Sequence, residues 1–371
     1  MRRREWIKTV GAVAAASAWP VGESAGQAPG GAGATLDTAI VRLNLRHTWT
    51  TTMSSSEYRD TLHVRFTRDG LTGTGEGAPI VRYHESAESA RRAVEGVADL
   101  LRSADPLHFE KLLAGVFARI EGEWAAKSAI DIAVMDWVGQ RIGVPIHRLF
   151  GLDPADAPLT TFSIGIDTPE ITRQKTREAE PYPVLKVKVG LDTDEATIEA
   201  VRSVTGKPLR VDANEGWTDK EVARRKIKWL ETQGVEFIEQ PMPAAMVEEQ
   251  KWLRSQVDLP IFADEACLHA GDIPRLAEAY DGVNIKLDKV GGIQQAYRSI
   301  VMARTLGLKV MLGCMISSSA TVTAAAQLSP LVDYADLDGN LLIANDPYVG
   351  VTVERGRLVL PAGAGLGLRK R

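Results

Sequence analysis

Residues 185–217 read LKVKVGLDTDEATIEAVRSVTGKPLRVDANEGW. Two short apolar runs flank a helical stretch, and each run ends in charge. The same rhythm holds from about residue 160 onward. TFSIG (161–165), VLKVKVG (184–190), LRVDAN (209–214), FIEQP (237–241), IFADE (261–265), VNIKLD (283–288), KVMLGCM (309–315) and YADLDG (334–339) alternate with helical stretches. Eight strands with helices between them predict an α/β fold, a (β/α)8 barrel of the TIM type. Doubly wound sheets alternate as well, but no Gly-rich phosphate loop follows the first strand.

The charges fall at the C-terminal ends of these strands, where barrels build their sites. A charge there is costly unless it is paired or metal-bound. The second strand ends in Lys186 and Lys188, which alternation puts on one face, the barrel interior. The third ends in Asp212 and Asn214, the fourth in Glu239, the fifth in Asp264 and Glu265. The sixth carries Lys286 and Asp288. Asp212, Glu239 and Asp264 can converge on one point, where three anions without a cation would repel. An oxygen-only set favours a hard cation, Mg²⁺ above others. Lys188 and Lys286, on strands two and six, stand opposite one another in an eight-strand ring. That geometry suits taking a proton from one face of a carbon and returning one to the other. Each motif alone has a plain structural reading, a KxK as a solvated edge or a lone Asp as a helix cap. Core packing gives no reason for the whole series.

Upstream, AIVRLNL, TLHVRFTRDG and LTGTGEGAP alternate as strands between residues 36 and 80, with Asp69-Gly70 as a hairpin signal. Residues 86–120 read as helices. In EWAAKSAIDIAVMDWVGQRIGVP (123–145), Ile130, Val134 and Trp137 share a helix face that Ala126, Ala129 and Ala133 extend. Gly143 and Pro145 stop that helix. Residues 36–155 are thus an α+β segment ahead of a barrel over 156–344.

The chain has 371 residues, 44% hydrophobic and 25% charged, with a formal net charge of −4. That is ordinary for a globular protein, and without a basic block after the leader it argues against nucleic acid as a partner. Cys267 and Cys314 lie far apart, which excludes a disulfide scaffold and CxxC zinc spacing; both are expected in barrel strands as buried thiols. The chain opens MRRREWIKTVGAVAAASAWP. Three arginines precede a stretch, Val10 to Ala18, that is too short and alanine-rich to span a membrane. This order fits an export signal, cleaved after Ala18 or Ala28. Arg3 to Lys8 resembles a twin-arginine signal, so a periplasmic location is expected. Residues 21–34 read as a linker, which closes a leader over 1–34.

LKVKVG, RVDANEGW, FIEQP, ADE and NIKLDKVGGI together resemble the muconate-lactonizing branch of the enolase superfamily, over about residues 36–371. AKSAIDIAVMDWVGQRIGVPIHRLFG resembles the segment that enters the barrel in that family. The resemblance implies a capping domain from residues 36–155, completed by C-terminal residues 345–371. It implies Asp212, Glu239 and Asp264 as Mg²⁺ ligands, Lys188 and Lys286 as the acid/base pair, and Lys186 on the substrate carboxylate. Asn214, Glu265 and Asp288 would lie behind them. The eighth strand's Asp336 and Asp338 form a DxD like the one with which dipeptide epimerases bind a dipeptide's free ammonium. Thr161 and Cys314 would be substrate neighbours.

The activity so implied is magnesium-dependent epimerisation of a dipeptide, by 1,1-proton transfer at the C-terminal residue's α-carbon through an enediolate. The same scaffold also hosts cycloisomerases and o-succinylbenzoate synthases, and a non-catalytic exported binding protein is a third reading. Side-chain specificity is expected in cap loops 47–60 and 78–86. The arginine that Ala-Glu enzymes often carry aligns near Ser54; the nearest here are Arg59 and Arg82. Family members are often homo-oligomers.

Overall fold

The computed structural model describes residues 33–371, which form one compact unit. The expected export leader lies on residues outside the described ones, apart from the end of its linker. No helix among the described residues is long and apolar enough to cross a membrane.

Strands β1 (Thr35–Thr50), β2 (Ser55–Arg68) and β3 (Leu71–Gly77) form an antiparallel sheet in that order. Asp69 and Gly70 both take positive φ, 50° and 76°, as the tight hairpin requires. β3 carries Gly73, Gly75 and Gly77 on one face. A Cβ at any of them would sit on a helix carbonyl, that of Ala133, Ala129 or Ala125. Glycine at every second strand residue thus meets alanine at every fourth helix residue, and the helix Trp124–Ile142 lies directly on the sheet.

That helix is not one-sided, as its expected single face implies. Ala125 to Gly139 are all buried. Ile130, Val134 and Trp137 pack into the cap core, while Ile132 and Met135 join the barrel core. Its acids act at both joints. Asp131 accepts the N–H of Ile293 (2.6 Å) and Gln294 (3.3 Å) at the start of the barrel helix Ile293–Thr305. Asp136 accepts the N–H of Thr74 (2.8 Å) and Leu366 (2.7 Å), tying β3 to the C-terminal segment. From β3, Glu76 accepts the Ser318 N–H (2.9 Å) and hydroxyl (2.6 Å) before the helix Ser319–Ala326. These helix starts are satisfied by carboxylates from the cap.

The eight expected strands are all present: β4 (Phe162–Ile164), β5 (Leu185–Lys188), β6 (Leu209–Asp212), β7 (Val235–Glu239), β8 (Ile261–Ala263), β9 (Gly282–Lys286), β10 (Lys309–Gly313) and β11 (Tyr334–Asp336). They pair in parallel in sequence order. A bridge between Thr160 and Ala335 brings the first edge to the last, so the ring is nearly closed. Inward residues form two layers. Phe237, Phe262, Met311 and Tyr334 plug the lower end, with Arg210 stacked over Tyr334. Above them the inward positions turn polar. Outward Val, Ile and Leu pack against the helices.

Three details differ from expectation. β9 ends at Lys286, and Asp288 sits in a helical turn, Leu287–Val290, not in a strand. Cys267 and Cys314 lie just past β8 and β10; both are free thiols, Cys267 buried but Cys314 only half-buried. Residues 47–60 are mostly strand, since β1 runs to Thr50 and β2 starts at Ser55.

Candidate active site

Strand pairing puts Lys188 opposite Asp212, and Asp212 opposite Glu239. On the far side Lys286 pairs with Gly313, and Gly313 with Asp336. Asp212, Glu239 and Asp264 each offer one oxygen, and these atoms lie within 4.8 Å of one another. Every carboxylate has one oxygen held by a fixed donor. Asp212 Oδ1 accepts the Asn214 N–H (2.9 Å), Glu239 Oε1 the Asn284 amide (2.6 Å) and Asp264 Oδ1 the Lys289 ammonium (2.5 Å). The other oxygens face lysines. Lys188 Nζ is 2.6 Å from Asp212 Oδ2 and Lys286 Nζ is 2.6 Å from Asp264 Oδ2. Lys186 Nζ lies 2.6 Å from Glu239 Oε2 and 3.1 Å from Asp212 Oδ2.

The electrostatics follow from packing so much charge out of water. Burial works against ionised Asp264, but Lys286 and Lys289 outweigh it and hold the carboxyl well below the usual range. Burial also opposes charged Lys186 and Lys286, yet the surrounding carboxylates raise both above the ordinary lysine value. Glu239 goes the other way: burial and the Asp212 charge push it up to about 8. Glu265 is pushed up to about 7 by burial and Asp264. It accepts from the Asn214 side chain (3.0 Å), while Glu265 Oε2 and Asn214 Oδ1 are buried with no partner. The backbone after the carboxylates is held in the left-handed region at Asn214, Glu215 and Gln240. Such strain persists only where surrounding structure imposes it, and it clusters at functional sites.

Closure of the ring brings β4 beside β11. Lys186 Nζ reaches Asp336 Oδ2 at 2.7 Å, and the Thr161 hydroxyl donates to Asp336 Oδ1. Asp338 Oδ2 accepts the Ser163 N–H at 2.6 Å. Burial would raise Asp336, but Lys186 and Thr161 bring it down to about 2, while burial and the Asp336 charge push Asp338 up to about 7. Cys314 Sγ donates to the Asp336 carbonyl (3.4 Å) and accepts the Gly339 N–H (3.3 Å). Its thiol is raised by burial and by both acids.

The structure therefore brings together Lys186, Lys188, Asp212, Glu239, Asp264, Lys286, Asp336, Asp338, Thr161 and Cys314, with Asn214 and Glu265 beside them. Asp288 does not join them. It turns to the cap, where Oδ1 accepts the Ala78 N–H (3.0 Å), and burial pushes its carboxyl up to about 8. The helical turn after β9 breaks the alternation that would have aimed it inward. Sequence reasoning did not single out Asn284, Ser163 or Lys289. Asn284 lies two residues before Lys286 and Ser163 two after Thr161, so strand period carried a signal for both. Lys289 had none, because it belongs to the turn.

The rim is covered from the cap. The Thr52 hydroxyl donates to the Asn214 carbonyl (2.7 Å), and the Ile166 N–H to the Thr50 carbonyl (3.0 Å). Arg82 grips Glu215 with two bonds of 2.9 and 3.0 Å. Arg59 donates to the Tyr58 carbonyl, and burial lowers its pKa. Beside Ser163 a small cavity of about 60 Å³ is lined by Trp49, Phe162, Ile316 and Leu342 among others.

An eight-strand barrel with a hard-cation donor set and buried lysines on its strand ends is the framework of an acid–base enzyme. Residues 170–370 match the family described as enolase C-terminal domain-like, and residues 35–151 the mandelate racemase / muconate lactonizing enzyme N-terminal domain. The chain is 42% identical to an L-Ala-D/L-Glu epimerase of Bacteroides thetaiotaomicron, covering 88% of this chain and 86% of that one. It is 44% identical to an L-Ala-D/L-amino acid epimerase of Pedosphaera parvula, over 89% and 97%. The dipeptide epimerase of Cytophaga hutchinsonii, solved with Mg and D-Ala-L-Val, superposes with a TM-score of 0.86 at 27% identity, over 91% of this chain and 95% of that one. The chain belongs to the mandelate racemase / muconate lactonizing branch of the enolase superfamily, and within it to the dipeptide epimerase family.

Proposed function

We propose that this chain epimerises dipeptides by moving a proton at the α-carbon of the C-terminal residue. The observation that carries the reading is the placement of two buried lysines on either side of one carboxylate triad. Lys188 ends β5 and Lys286 ends β9, four strands apart in a ring of eight, and each holds a different acid of the triad. One takes the α-proton from its face; the other gives a proton to the opposite face.

Asp212, Glu239 and Asp264 would hold Mg²⁺. The fit rests on their oxygen-only donors and on charge. Six buried carboxylates (Asp212, Glu239, Asp264, Glu265, Asp336, Asp338) face four buried lysines (Lys186, Lys188, Lys286, Lys289). Fully ionised, the cluster carries an excess of two negative charges, which a dication neutralises. When bound, the ion stabilises negative charge on the substrate carboxylate as the α-proton leaves, and it lowers the pKa of nearby lysines.

Lys186, set between the triad and Asp336, would hold the substrate carboxylate. Asp336 and Asp338 would accept the dipeptide's ammonium and so measure its length, with Thr161 and Cys314 fixing the position of Asp336. Cycloisomerase and synthase substrates carry no ammonium and would leave this pair idle.

The test is incubation with magnesium and a mixed dipeptide library in deuterium oxide, followed by mass. A one-unit gain confined to certain dipeptides is expected. No gain on any dipeptide, with folded and metal-loaded protein, would refute the reading.

The leader supports export to the periplasm by the twin-arginine route. Changing both Arg3 and Arg4 to Lys should leave the protein in the cytoplasm; unaltered export would sink this assignment.

A further inference from the structure

Lys289 is 0% exposed, and its ammonium has three acceptors for its three N–H groups. They are Asp264 Oδ1 (2.5 Å), the Asp264 carbonyl (2.6 Å) and the Asn284 carbonyl (3.0 Å). Nothing is left over for a substrate. The residue reaches this place because the turn Leu287–Val290 folds back and is followed at once by Gly291 and Gly292, with φ of 95° and 113°. A Cβ at Gly292 would collide with Asp131, so the reversal is built into the cap joint.

Burying a lysine costs several kcal/mol, and an apolar side chain of similar size fills space at no such cost. Packing therefore does not explain a charge here. The other two triad acids are steadied by neutral donors, the Asn214 N–H and the Asn284 amide. Asp264, like Asp212 beside Lys188, has its second oxygen against a lysine of the acid/base pair, here Lys286 at 2.6 Å, but of the three acids it alone has its first oxygen held by an ammonium as well. Lys286 has to leave that contact when it turns to the substrate.

We propose that Lys289 is a positioning residue for cation binding. It fixes Asp264 by one oxygen and by its backbone, keeps that acid paired when Lys286 moves away, and leaves the other oxygen aimed at the site. The proposal rests on the reading of Asp212, Glu239 and Asp264 as the cation site.

The experiment is calorimetric titration of Mg²⁺, and of Mn²⁺ as a second probe, into the full-length metal-free protein without substrate. Lys289→Met keeps the volume and removes the charge; Lys289→Arg keeps the charge and donors. Lys289→Met is expected to weaken the cation by about ten- to a hundredfold, the usual effect of removing a partner behind a metal ligand, and Lys289→Arg by only a few-fold. The opposite pattern, Met neutral and Arg disruptive, would assign Lys289 to packing and overturn the proposal. If Lys289→Met does not give a cooperative thermal melt, Lys289→Gln replaces it with the same expected loss. Glu239→Gln separates the two failures. If it binds the cation as well as the parent, the triad reading fails. If it loses the cation while uncharged variants at 289 keep it, only the role of Lys289 fails.

Discussion

Lys186 Nζ lies 2.7 Å from Asp336 Oδ2, and that contact joins the carboxylate triad to the DxD pair. The same ammonium is 2.6 Å from Glu239 Oε2. One buried cation thus serves both ends of the site. A substrate that offers a carboxylate to Lys186 and an ammonium to Asp336 matches this polarity, and binding it would replace the direct contact between the two.

Asp336→Asn removes the charge and keeps the shape. A hydrogen bond to a charged group is worth about 1.5–3 kcal/mol, so KM for a free dipeptide should rise roughly ten- to a hundredfold. KM for the N-acetylated dipeptide should change little. Parallel steady-state kinetics on the two substrates check this, and equal effects on both would remove the ammonium assignment.

Lys188→Ala and Lys286→Ala should each lower epimerisation by about a thousandfold, within the range for loss of a general acid or base. Each variant should still exchange the α-proton of one epimer with deuterium oxide, the one facing the remaining lysine. Exchange followed separately from the two epimers reads this out.

Chelation of divalent cations should abolish activity, and magnesium should restore it. Because the cation binds the folded state, magnesium at about a hundred times its dissociation constant adds about 2.7 kcal/mol of stability. A melting temperature independent of magnesium would contradict the charge argument made for the triad.

Glu76 couples stability to pH. Burial would raise its carboxyl, but the His63 charge and the bonds from His63 and Ser318 pull it down to about 2 from 4.5. A depressed carboxylate stabilises the fold above its unfolded pKa and loses that contribution as pH falls through the folded one. The size is on the order of 3 kcal/mol. Glu76→Gln should therefore melt lower than the parent at pH 7, with the gap closing between about pH 4.5 and 2. Thermal melts across that range give the answer.

Gly75→Ala should destabilise the cap by about 1–3 kcal/mol, the usual cost of forcing a methyl group into filled space. The obstacle is the backbone carbonyl of Ala129, which cannot rotate away as a side chain would. Denaturant unfolding of the variant beside the parent measures it.

The eight strands and their charged ends were legible in the sequence because both signals are local. An apolar run stops, a charge follows, and the pattern repeats each βα unit. That was enough to name Asp212, Glu239, Asp264, Lys188 and Lys286 as one series. Asp288 shows the limit: two residues past Lys286 it reads as inward, but the chain has already turned helical and sends it to Ala78. Residues 47–60 show another, since a polar stretch looks like a loop although β1 and β2 run through most of it.

By itself, then, the sequence determined the barrel, the order of its strands and which residue types stand at their ends, since alternation along a strand is written into neighbouring residues. The tertiary structure decided which of those ends meet. Thr161 and Ser163 reach the DxD pair only because the first strand closes against the last. Lys289 reaches Asp264 only because two glycines let the chain reverse beneath the cap. Both contacts depend on ring closure and on packing between distant segments, and no local pattern encodes either.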